Sequence, residues 1–345
     1  MAIAVPDDRI RKIGLGRRLV DRPEVGAFIG LLVLWVLFAL LGPDSGFLTA
    51  RGVSSYLNIA AEVGIVSTTV TLLLIAGEFD LSIGSMVGFS GMIMALLTTQ
   101  VHWPLWAALL AAIAFGLLYG WGVGMIVVRA GIPSFIVTLA GLFLLRGATI
   151  GFSRTIAQQP YIGGVKTAIG NDSLQFIFAA KVPGGLIDGL NVSFLWWIAL
   201  VIIGTVVLTK TKFGNWIFAV GGSSSAARAS GVPVTRVKII LFMAVAASGV
   251  LLAAINVLAL GSADSFRGQG KEFEAAITAV IGGTSLSGGT GSIIGTAIGA
   301  LTLGVVRQGL FFIGVDYDWY QAILGLMLLV AVVINQFTRR NVVRG

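Results

Sequence analysis

Few side chains in this sequence could do chemistry, and nearly all of them interrupt long apolar runs. Asp80, with Glu78 beside it, stands between two long, mainly apolar runs, 56–76 and 81–99. A carboxylate at the centre of a membrane helix costs about 2.5–3.5 kcal/mol on insertion scales, and less toward the interface. Asp80 therefore reads either as a polar lining of a solute path or as a cap on the next helix through the amides of Ser82 and Ile83. The two are compatible, because a cap at a re-entrant turn also lines what passes it. Asn58 and Glu62 stand one helical turn apart, followed by Ser67, Thr68, Thr69 and Thr71. Polar groups at that density face protein or water rather than lipid, so Asn58, Glu62, Asp80 and Ser82 are the candidate translocation residues. Arg146, inside a later apolar run, reads as paired or as snorkelling toward an interface.

Other chemistry finds no residues. The chain has no cysteine and a single histidine, His102, in the turn Gln100–Pro104. Disulfides, thiolate metal sites and Cys nucleophiles are excluded, and His102 reads as an interfacial loop residue. No GKS or GKT triplet completes a P-loop, and the glycine-rich run 288–295 lacks the lysine that would hold a phosphate. No Ser/His/Asp set appears, so neither catalysis nor a cofactor is expected.

Composition sets the class. Of 345 residues, 57% are hydrophobic and 11% are charged, and the mean hydropathy is +0.97. Soluble domains carry about a quarter charged residues, so this is an all-α polytopic membrane protein. At about 20 residues per span, apolar runs give about ten transmembrane helices: 25–41, 56–76, 81–99, 105–128, 132–152, 192–209, 237–260, 273–288, 292–313 and 319–337. The short turns after the second and eighth runs leave room for broken or re-entrant helices. The organisation is a terminal segment 1–24, a membrane domain 25–337 with major loops 153–191 and 210–236, and a tail 338–345.

Charge placement orients the bundle. The +8 net charge follows membrane sidedness rather than marking a nucleic-acid surface. Arg9 to Arg22 precede the first run, which reads as an uncleaved span rather than a signal peptide. These residues, Arg129, the 210–236 loop and Arg339, Arg340 and Arg344 all fall on one side if both termini are cytoplasmic. The opposite loops carry Asp44, Asp172, Asp188, Asp264, Asp316 and Asp318.

The loop from 210 to 238 is basic throughout. Within it, Ser223–Ala229 has a cap residue, an alanine-rich centre, and Gly231 and Pro233 to stop it. Ser223, Ala226, Ala227, Arg228, Ser230, Gly231 and Val232 are therefore the residues expected to meet a soluble partner. On the opposite side, Lys166, Lys181 and Arg267 sit inside polar loops where few cations are expected, and read as docking charges for an acidic partner. Two glycine-interrupted stretches, Gly77–Gly88 and Gly282–Gly295, suggest a two-fold internal repeat.

Four stretches together resemble the permease subunits of bacterial ABC importers for ribose, xylose and related monosaccharides. They are GEFDLSIGS (Gly77–Ser85), close to the family's GGIDLSVGS; IPSFIVTLAG with Arg146–Gly147; GNWIFAVGGSSSAARASGV (Gly214–Val232); and KEFEAAITAVIGGTSLSGGTGS (Lys271–Ser292). The resemblance runs over residues 30–335. It implies an inner-membrane subunit that pairs with a second copy, binds ATP-hydrolysing subunits through the 214–232 segment, and receives sugar from an extracytoplasmic binding protein. The permease itself would hydrolyse no ATP. Glu78 and Phe79 depart from the family's Gly and Ile, and Glu78 adds a carboxylate beside a candidate path. Ser223 stands where the family commonly has Asn. The rival reading is a stand-alone ion-coupled secondary transporter of a small polar solute, which would leave the 210–238 loop without a role.

Overall fold

In a computed structural model, residues 23–42, 45–182 and 189–344 are described. The basic segment before residue 23, Asp44 and Asp188 lie outside them. The elements in chain order are α1 (Pro23–Leu41), α2 (Ala50–Ile75), α3 (Ile83–Thr99), α4 (Leu105–Ala130), α5 (Ser134–Ala157), β1 (Tyr161–Ile162), α6 (Val165–Ile169) and α7 (Leu174–Ala179). They continue with α8 (Ser193–Lys210), α9 (Lys212–Gly222), α10 (Ser224–Ala229), α11 (Val234–Leu260), β2 (Ala263–Asp264), α12 (Lys271–Ile281), α13 (Ile293–Phe312) and α14 (Tyr320–Arg344).

The ten apolar runs each become a helix, but they are not equivalent. Among the described residues, seven helices are long and apolar enough to cross a membrane: α1, α2, α4, α5, α8, α11 and α13. The eighth run shrinks to α12, whose 11 residues span only about 16 Å at 1.5 Å per residue. The predicted run extends past it because residues 282–288, GGTSLSG, carry no charge to end it. The 210–236 loop is mostly helix: α9 takes up its first half, and α11 begins at Val234, so Arg236 and Lys238 belong to α11.

Helix α11 is the axis of the bundle. Helix α4 packs antiparallel to it through Gly116, Gly120 and Gly124, which lie against Val250, Met243 and Ile239 in turn. A Cβ at Gly120 would sit 2.7 Å from the backbone of Phe242 and Met243. Helix α2 also runs antiparallel to α11. Thr69 meets Ser248 at 2.7 Å, and nine residues on, Glu78 pairs with Lys238. Helix α13 lies antiparallel to α2, with Thr71 and Thr296 hydroxyls 2.7 Å apart and Gly304 against Tyr56 and Ala60.

These directions sort the connections into two ends. One end holds the start of α1, the α4–α5 turn, α9–α10 and the 282–292 loop. The other holds the 158–192 region and the segment after α11, which are joined by β1 and β2 in antiparallel register, Tyr161 opposite Asp264. Two loops far apart in sequence, placed on one side by charge alone, therefore meet in space.

Replacing Gly120 with Leu should cost about 1–3 kcal/mol by overpacking the α4–α11 seam. The change should lower the thermal midpoint of the detergent-solubilised protein. Gly122→Leu, with nothing within 4 Å of its Cβ position, should leave the midpoint unchanged.

Candidate translocation core and coupling segment

Two helices are broken in the same way. Helix α2 ends at Gly77 (φ +81°) and α11 at Gly261 (φ +73°), both in the left-handed region that glycine enters without strain. Three residues after each glycine comes an aspartate that folds the chain back: Asp80 Oδ1 accepts from Ser82 N at 2.7 Å, and Asp264 Oδ1 from Phe266 N at 2.7 Å. A non-helical stretch then leads to a shorter helix, α3 or α12. Because α2 and α11 are antiparallel, the two units are inverted copies.

Helices α3 and α12 meet N-terminus to N-terminus, midway along the bundle. Ile83, at the start of α3, lies against Gly249 near the middle of α11. A Cβ on Gly84 would collide with Glu272 Oε2 and the Gly268 carbonyl. The repeat is thus carried by Gly77–Ser85 and Gly261–Phe273. The stretch 282–292 instead packs against the first break, with Gly289 N donating to Ile75 O at 2.8 Å.

The helix dipoles make this junction positive, and buried carboxylates answer it. Glu272, 3% exposed, sits in the first turn of α12 with Arg146 Nη2 of α5 3.6 Å from its Oε1. Glu274 is held by Lys271 Nζ at 2.7 Å, Arg307 Nη1 of α13 at 3.8 Å, and the Tyr320 hydroxyl of α14 at 3.3 Å. Arg146 is therefore paired rather than snorkelling. Glu272 and Glu274 were not singled out from the sequence. Their only signal there is acidic residues opening a helix after a glycine.

The candidate path residues separate. Asn58 spends both ends of its amide on the chain before α8, donating to Gly189 O at 3.0 Å and accepting from Asn191 N at 2.9 Å. Asp80, 4% exposed, is the cap, and Ser82 Oγ donates to it at 2.6 Å. Half-buried Glu62 makes no hydrogen bond or ion pair with the described residues. Glu78 is not a free carboxylate beside a path, because Lys238 neutralises it.

Helix α10 forms as its sequence predicts. Ser223 Oγ accepts from Ala226 N at 3.3 Å, and the C-terminal end closes with Gly231 N on Arg228 O and Val232 N on Ala227 O, both at 3.0 Å. Ala227 is buried against the bundle and Val232 packs beside it, whereas Ser223, Ala226, Arg228, Ser230 and Gly231 are exposed. Ser224, Ser225, Arg228 and Ala229 border an open recess of about 510 Å³.

At the other end, Lys166 Nζ donates to Ala259 O at 2.6 Å and Arg267 Nη1 to Ser262 O at 3.3 Å. Both anchor the turn after α11. Lys181 is exposed, in a bridge with Asn191, and its ammonium has no partner among the described residues.

An all-helical bundle with inverted, broken helices is the architecture of a membrane transport protein. The model of a family described as a branched-chain amino acid transport system permease component matches residues 52–332, and the chain belongs to that family. Its relatives include the probable ABC transporter permease protein YphD of Escherichia coli, 34% identical over 90% of this chain and 89% of that one. The xylose transport system permease protein XylH of Haemophilus influenzae is 30% identical over 91% and 97%. The ribose import permease protein RbsC of Bacillus subtilis is 30% identical over 91% and 92%. The resemblance read from four motifs thus extends over nine-tenths of the chain, and the protein is a multi-pass protein of the inner membrane.

Glu272→Gln should strand the Arg146 guanidinium and cost up to about 3–5 kcal/mol, read as thermal unfolding in detergent. The double change Glu272→Leu with Arg146→Met should recover much of that loss. Independent, additive losses would mean that the pair does not hold α5 to α12.

Proposed function

We propose that this chain is the membrane subunit of an ATP-driven importer for a monosaccharide or related polyol. Two copies would form the channel. ATP-binding subunits would dock at the α10 end, and a sugar-binding protein at the opposite end. The observation that carries this reading is α10 itself: a short, fully capped, solvent-exposed helix with a basic residue, fixed to the bundle through Ala227. A membrane protein acting alone has no use for it. The alignment with xylose and ribose permeases over more than nine-tenths of their length supports sugar as the cargo.

In this reading the α10 end is cytoplasmic, with both termini on that side, as the cations there favour. Exposed Ala226, Arg228, Ser230 and Gly231 meet the ATPase, while Ala227 and Val232 hold the helix down. Glu62 is the member of the original path set whose carboxylate is free to meet solute, with Asn58, Asp80 and Ser82 shaping the walls. Lys181 is the best placed docking charge. Lys166 and Arg267 support the surface beside it.

The broken, inverted helices also occur in ion-coupled secondary transporters. Purified permease reconstituted with its ATPase and binding protein separates the two. Uptake should require ATP and survive collapse of the ion gradients; gradient-driven uptake by the permease alone would contradict the proposal. Arg228→Glu should sharply reduce uptake without loss of folded protein, whereas Ala227→Glu should destabilise the bundle.

A further inference from the structure

The coupling segment grips the first break from both sides. On one side, the last turn of α9 rests on the end of α2: a Cβ at Gly221 would collide with Ile75 O and lie 2.6 Å from Gly289 N. On the other side, the chain leaves α10, turns at Gly231 and enters α11, where Lys238 Nζ donates to Glu78 Oε1. The side chains of Lys238 and Glu78 are 16% and 10% exposed, so little water screens the pair. The residues gripped, Ile75 to Glu78, form the hinge of the break. Glu78 N still bonds back to Leu73 O of α2 at 3.1 Å, whereas Phe79 N already bonds to Ser134 Oγ of α5 at 3.1 Å. Beyond Phe79 the chain runs straight to Asp80, Ser82 and the half-helix α3.

We infer that the Glu78–Lys238 ion pair is the link that carries displacement of the α10 segment to the hinge and so to α3. Glu78 and Lys238 are positioning residues for transport, distinct from the surface that touches the ATPase. A hydrogen-bonded, mostly buried ion pair suits the task. It resists being pulled apart because breaking it leaves two charges without partners in a low-dielectric site.

The inference rests on the ATP-driven reading above, and the experiment keeps the two apart. Wild type, Glu78→Gln, Lys238→Gln and the swap Glu78→Lys with Lys238→Glu are reconstituted with ATPase and binding protein. Sugar taken up per ATP hydrolysed is the readout, which a purely structural role would not move. Wild type without ATP-dependent uptake would fail the function and not this link. With wild type active, each single variant should hydrolyse ATP near the normal rate but transport several-fold fewer sugars per ATP. The swap should restore the ratio. Single variants with the wild-type ratio would overturn the inference, as would a swap no better than the singles. Failure of all three variants to assemble would also overturn it, by showing the pair to be needed for folding alone.

Discussion

A broken helix inside a bilayer must satisfy its freed backbone groups from within the protein, because lipid offers no partners. Everything at the centre of this molecule answers that demand. Asp80 and Asp264 take up amides at the two breaks, and Ser134 receives the amide of Phe79. The two half-helix N-termini are placed against each other with Glu272 between them. Gly84 is then obligatory, since any side chain there would displace the carboxylate, and Arg146 follows because the carboxylate is buried.

The remaining packing makes that centre rigid on one side and tethered on the other. The Gly116–Gly120–Gly124 seam locks α4 onto α11 at close backbone distance, and hydroxyl pairs tie α2 to α11 and α13. The first break is held from three directions: Gly289 N donates to Ile75 O, Phe79 N to Ser134 Oγ of α5, and Lys238 Nζ of α11 to Glu78. The close-packed axis and the first break therefore sit side by side. The outer faces of α1, α5 and α8 remain apolar and exposed, as a bilayer-embedded surface requires.

Much of this was legible from residues whose meaning is local. Ser223, the alanines and Gly231 spell a capped short helix, and Asp80 followed by Ser82 spells a capping turn; both form. Apolar runs locate every long helix within a few residues. What stayed hidden depends on distant partners. Glu78 looks like an added charge until Lys238, 160 residues away, is beside it. Asn58 looks like a free amide until Gly189 and Asn191 are beside it. The short α12 reads as a full span because hydropathy measures composition and not direction. In the sequence the repeat reads as matching glycine runs, whereas its carrier is Gly-x-x-Asp after a long helix, a pattern too sparse to stand out among 47 glycines.

Helix α12 begins halfway through the membrane, where it meets α3. A nitroxide at Phe273, exposed in the first turn of α12, tests it through depth-dependent relaxation in reconstituted bilayers. The label should lie about 15 Å from either edge of a hydrocarbon core about 30 Å thick. A label at headgroup depth would show α12 starting at the surface as an ordinary span and would contradict the inverted, broken-helix core.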